Sequence, residues 1–192
     1  MRGGADGADR LTRLGDELRV LTRLHPRESW PEHPNLGQTA AFWLQRHAMF
    51  RQLDTAIREG SEAALDDWPG DAPFKSWFTR HLRWFLGQLE EHHHVEDRYY
   101  FPVFRRAEPR LVAGFELLER DHEALHTTIG SIVEQANAVL HNGCADDVRA
   151  ALARFHDAQV IMGRDLIQHL DDEEDLVVPL LLERGERALL GG

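Results

Sequence analysis

Apolar residues recur every three to four positions along four long stretches of the chain, and that spacing predicts four helices. The first runs from Thr39 to Glu59, with Ala40, Trp43, Leu44, Phe50 and Ile57 on one stripe and Gly60 ending it. The second, from Phe74 to Ala107, places Phe78, Leu82, Phe85, Leu89, Tyr99 and Val103 along one face. After the break at Glu108-Pro109, the third aligns Leu111, Phe115, Leu118, Leu125, Ile129, Val133 and Ala136. The fourth, Asp146 to Arg184, carries Leu152, Phe155, Leu166, Leu176 and Leu180. Upstream, Leu11, Leu14, Leu18, Leu21 and Leu24 predict a short amphipathic helix over 10–24, and Pro26, Pro31 and Pro34 predict a loop after it. The expected fold is all-α: an up-down antiparallel four-helix bundle over 39–192, preceded by an extension, 1–38, holding the extra helix and loop.

Polar residues interrupt these stripes at particular places. His47 lies in the first stripe, His92 and Glu96 in the second, His122 and His126 in the third, and Gln159, His169 and Glu173 in the fourth. The segment His92 to Pro102 is echoed by His169 to Pro179: in each a Glu follows the leading His by four residues, and a proline follows that Glu by six. A His and a Glu one turn apart project side by side from a helix, which suits two ligands of one ion. His93 with Asp97 offers a competing stripe through Leu86 and Phe104, which Glu90 interrupts, so His92 is preferred. Glu96 lies 13 residues before Pro109 and His122 lies 13 after it, so a hairpin at the proline sets them level. The count about Gly143 closes less neatly, with His126 17 residues before it and His169 26 after.

With 12 histidines and 33 acidic residues, about two His-to-acid pairs at four-residue spacing arise by chance, so the motif alone says little. The apolar setting says more. Five imidazoles and two carboxylates converging in a core would be costly without a cation, because buried unpaired charge is strongly disfavoured. Two divalent metals resolve that cost, and imidazole with carboxylate suits Fe, Zn or Mn. His25 and His33 in the proline-rich loop, and His81, His94, His141 and His156, read as surface or supporting residues. The acidic run Asp171 to Asp175 reads as a solvated face apart from Glu173, with Glu174 its competitor as a ligand. Tyr99 and Tyr100, one turn past Glu96, read as core packing.

Composition narrows the partners. A net charge of -11 disfavours nucleic acid and anionic lipid. No apolar run reaches membrane-spanning length, and the first ten residues lack a signal-peptide core, so a cytoplasmic monomer or homodimer is expected. The single cysteine, Cys144, excludes an internal disulfide and reads as a loop residue.

His47 in Leu-Gln-Arg-His-Ala-Met-Phe, the stretch His92 to Pro102, Arg-Asp-His-Glu-Ala-Leu-His at 120–126, and His169 to Pro179 together resemble the hemerythrin-like, or HHE cation-binding, family. The resemblance implies a non-haem di-iron centre, with Zn or Mn as lesser alternatives. It assigns His122, His126 and His169 to one iron and His47 and His92 to the other, with Glu96, Glu173 and an oxo or hydroxo group bridging them. It implies binding of dioxygen, for storage, delivery or sensing. The alternatives are an oxidoreductase acting on peroxide or nitric oxide, and a structural or regulatory metal site.

Overall fold

The computed structural model describes residues 14–141 and 145–191, and no strand occurs among them. The helices are α1 (Val20–Leu24), α2 (Gln38–Asp66), α3 (Asp71–Val95), α4 (Phe101–Ala107), α5 (Val112–His141), α6 (Ala145–Arg184) and α7 (Glu186–Leu190). A π-helical segment, Glu96–Tyr100, joins α3 to α4, and 3-10 turns occupy Arg27–Glu32 and Pro109–Leu111. Within the described residues, the chain up to His47, His94–His122 and the chain from Ile167 form one compact unit; Ala48–His93 and Glu123–Leu166 form another.

Two helices differ from their expected form for identifiable reasons. Gly60 does not end α2, which continues to Asp66. A Cβ there would run into the indole of Trp77, so this glycine makes room for a ring packed on the helix. The expected second helix changes its hydrogen bonding after Val95. Proline at 102 has no N–H for the Arg98 carbonyl and its ring crowds that carbonyl. The chain widens into a π turn just before it, with the Phe101 N–H donating to the Glu96 carbonyl.

Pro179 creates the same deficit inside α6 and meets it differently, because that helix stays continuous to Arg184. The carbonyl that Pro179 leaves without an N–H is that of Asp175, and Thr22 Oγ1 donates to it at 2.7 Å. The N-terminal segment thereby satisfies a buried backbone group in α6. The segment is less helical than the leucine stripe implied: Leu14 to Arg19 form a turn with the Leu18 N–H donating to the Gly15 carbonyl at 3.0 Å, and only Val20–Leu24 is α-helical. Leu14, Leu18 and Leu21 are nonetheless buried, while Leu24 is exposed; Leu11 and Cys144 lie outside the described residues.

The first unit's core joins these leucines to Ala40, Trp43, Phe101, Phe104, Leu111, Phe115, Leu118, Leu176, Val177, Leu180 and Leu181. Trp30 packs on Val178 and Leu182, and Asn35 Nδ2 donates to the Leu182 carbonyl at 2.7 Å. With these residues laid over it, α6 is buried on every side from Asp172 to Leu182, so the acidic run is not a solvated face. The start of α2 is capped from the far end of the chain, with Glu186 accepting from the Thr39 N–H at 3.0 Å and the Ala40 N–H at 2.8 Å.

In the second unit the core is aromatic: Phe78 meets Phe155 edge-on at 4.7 Å and stacks on Phe74 at 5.3 Å, and Phe50 lies 6.4 Å from Phe85. Gln159, on the expected inward stripe, donates through Nε2 to buried Asp54 at 2.8 Å. On α5 the buried stripe runs through Leu125, Ile132, Ala136 and Val139, leaving Val133 exposed.

Candidate metal centre

The first unit gathers His47 from α2, Glu96 from the π segment, His122 from α5, and His169 and Glu173 from α6, all buried. Glu173 follows His169 by one turn, and its Oε2 lies 3.3 Å from His169 Nε2 and 3.6 Å from His47 Nε2. Its Oε1 accepts a 2.6 Å hydrogen bond from Trp43 Nε1. Glu96 Oε2 lies 3.6 Å from His122 Nε2. Three imidazoles thus direct Nε2 toward two carboxylates.

Their other nitrogens each face a second carboxylate. His47 Nδ1 is 3.1 Å from Glu174 Oε1, His122 Nδ1 is 2.8 Å from Asp97 Oδ1, and His169 Nδ1 is 3.5 Å from Asp121 Oδ2. An ionised carboxylate only accepts, so it fixes the proton on Nδ1 and leaves the Nε2 lone pair directed inward. A carboxylate behind each imidazole is the usual arrangement for metal-ligating histidines.

His122 Nε2 and His169 Nε2 are 3.1 Å apart. Two lone pairs at that distance repel unless a cation lies between them. A proton serves in the metal-free chain: His169 is raised to about 9, with burial opposing the shift and Asp121 and Glu173 driving it. A metal ion serves in its place by displacing that proton. Glu96 responds in the same sense. Burial first, then the neighbouring charges of Glu173 and Asp97, push its carboxyl well above the ordinary range, against the pull of Arg46. The donor set therefore fits divalent metal.

Two groups of donors have ligand atoms within 4.8 Å of one another among the described residues: His47, His92, Glu96 and Glu173, and His93, His122 and His169. Six of the seven expected ligands fall in these groups. His126 does not; its side chain is exposed. His93, which the competing stripe had offered, is buried and stands in the group with His122 and His169. Sequence reasoning missed Trp43 and Asp121 as partners of the site, although Asp121 adjoins His122. It weighed Asp97 beside His93 and Glu174 as a ligand in place of Glu173, whereas the structure sets them behind the rings of His122 and His47. Tyr99, expected in the core, is exposed, whereas Tyr100 packs edge-on against Trp43 at 5.0 Å.

A helical chain that turns imidazoles and carboxylates onto shared points in this way defines a cation-binding protein. Residues 38–181 match the hemerythrin HHE cation binding domain, three quarters of the chain, and the protein belongs to that family. No curated protein and no solved structure matches it. No helix among the described residues is long and apolar enough to cross a membrane.

Proposed function

We propose that this protein holds two iron ions in an up-down four-helix bundle and binds dioxygen or a related small ligand there. His47 and His92, with Glu96 and Glu173, would hold one ion, and His93, His122 and His169 would hold the other, with the two carboxylates placed to be shared between them. His93 takes the role that the family resemblance gave to His126. The observation that supports this reading most directly is the 3.1 Å approach of the His122 and His169 Nε2 atoms, each imidazole backed at Nδ1 by a carboxylate. Iron, when bound, supplies reversible electron exchange and an open coordination position.

The chain's own residues supply orientation. Asp97, Asp121 and Glu174 hold the three rings in one tautomer, and the Trp43 N–H turns Glu173 so that its second oxygen faces His47 and His169. Having fewer histidines, the group of His47 and His92 would be the one to leave room for the small ligand.

Metal analysis with optical spectra tests this. Two irons per chain, with a charge-transfer absorption in air that bleaches under dithionite, are expected; one equivalent of zinc and no iron overturns the proposal. Steady consumption of peroxide or nitric oxide, lost in His122→Ala, would convert the reading from a ligand-binding protein to an enzyme.

A further inference from the structure

The family match begins at residue 38, yet a residue well before it is tied to the centre. Arg27, in the 3-10 turn of the N-terminal segment, donates from Nη1 to Glu174 Oε2 at 2.6 Å, from Nε to Asp175 Oδ1 at 2.6 Å, and from Nη2 to the Asp171 carbonyl at 2.8 Å. The other oxygen of Glu174 faces His47 Nδ1 at 3.1 Å. We propose that Arg27 is a positioning residue of the metal centre: through Glu174 it fixes the imidazole of His47, so that the segment preceding the matched domain sets the affinity of the ion His47 binds. This rests on the reading of His47 as a ligand.

Geometry and charge both support it. The side chains of Glu174 and Asp175 are only 4% and 5% exposed, so two adjacent carboxylates lie in the interior, and Arg27 supplies a positive charge between them. Its planar guanidinium sends three donors in fixed directions to three acceptors on one turn of α6, which an ammonium group cannot reproduce. Arg27 is itself held, because its guanidinium lies 5.0 Å from the Trp30 ring centre and Trp30 packs on Val178 and Leu182. With Arg27 fixing one oxygen of Glu174, the other is held where it accepts from His47 Nδ1. The ring then keeps one tautomer and one orientation, with Nε2 turned inward.

Anaerobic calorimetric titration of ferrous ion into the metal-free full-length chain tests the proposal. Two binding steps are expected in the parent protein. In Arg27→Met one step should weaken about 10- to 100-fold while the other stays within about threefold, the range found when a supporting partner of a ligand is removed. Arg27→Lys should recover only part of the loss. Asn35→Ala removes a tie between the same segment and α6 without touching the acidic turn, and should lower the melting temperature while leaving both steps unchanged. If Arg27→Met does not fold, Glu174→Gln carries the test, since it removes the charge beside His47 and should weaken the same single step. Unchanged binding in these variants, or equal weakening of both steps, overturns the positioning role while the metal centre stands. A parent protein that takes up no metal overturns both.

Discussion

At the scale of single residues, the site divides its histidines by what lies behind them. His47, His122 and His169 are each backed by a carboxylate. His126 is exposed, one turn beyond His122. Its phase explains this: the buried stripe of α5 passes through Leu125 and Ile132, and His126 and Val133 share the neighbouring, exposed phase. His126→Ala is therefore expected to retain both metals, whereas His93→Ala should lose one, measured as metal per chain after gel filtration; the reverse result would restore the ligand set implied by family resemblance. His47, Glu96, His122, His169 and Glu173, which the structure buries and the proposal takes as ligands, stood out in the sequence because each is a polar residue on an otherwise apolar stripe. His93 was offered only as a competitor to His92, because a single seam along the helix has room for one of the two. His92 and His93 precede Glu96 by four and three residues, so both lie beside it on the helix surface, and the two groups of donors use both.

At the scale of elements, two prolines at matching places in the echoed motif are accommodated in opposite ways. Pro102 is preceded by a π turn, and Pro179 by an unbroken helix whose Asp175 carbonyl is taken by Thr22. The repeat was plain in the sequence; the different outcomes were not, because they depend on whether another segment brings a donor. Thr22→Val keeps the shape and removes the hydroxyl, leaving that buried carbonyl without its donor. A loss of about 1–3 kcal/mol in urea unfolding is expected, the cost of an unsatisfied buried polar group. A loss within error would mean that water or a small backbone shift replaces the hydroxyl. The same logic accounts for the misreading of Asp171 to Asp175. Periodicity reports which face of a helix is apolar, but not that a separate segment will lie over the polar face and neutralise it with Arg27.

At the scale of the whole molecule, the four long helical stretches and most inward positions followed from spacing, while the role of the N-terminal segment and the capping of α2 by Glu186 depend on contacts more than 140 residues apart in sequence. Such contacts leave no local pattern. The break before Pro109 is held similarly: Glu108 accepts from Arg110 at 2.7 Å and from Arg184 at 2.9 Å. The hydrogen bond from Arg110 lowers its carboxyl to about 2, against burial and with help from Arg184. Because the folded value lies below the ordinary 4.5, the contribution is full above pH 4.5 and is lost as pH falls toward about 2. Glu108→Gln should flatten stability against pH across that window and leave its slope near neutrality unchanged, as measured by urea unfolding at each pH.

Metal would tie these scales together, because the groups that are costly to bury are those proposed to bind it. In the metal-free chain Glu96 and Glu173 stand close together in the interior, and one way to relieve their repulsion is to hold protons. An ion held by the proposed ligands would relieve it directly and would bind only the folded arrangement, since those residues are distant in sequence. At a free metal concentration about a thousandfold above the dissociation constant, such binding stabilises the fold by roughly 4 kcal/mol. For a chain of this length, each kcal/mol moves the melting temperature by about 2–4 °C, so removal of the metal with a chelator should lower it by roughly 8–16 °C. In His122→Ala, which lacks an imidazole of one donor group, chelation should produce a clearly smaller shift than in the parent. Equal shifts in the two proteins would place the stabilising ion elsewhere and separate the thermal effect from the centre described by His47, Glu96, His122, His169 and Glu173.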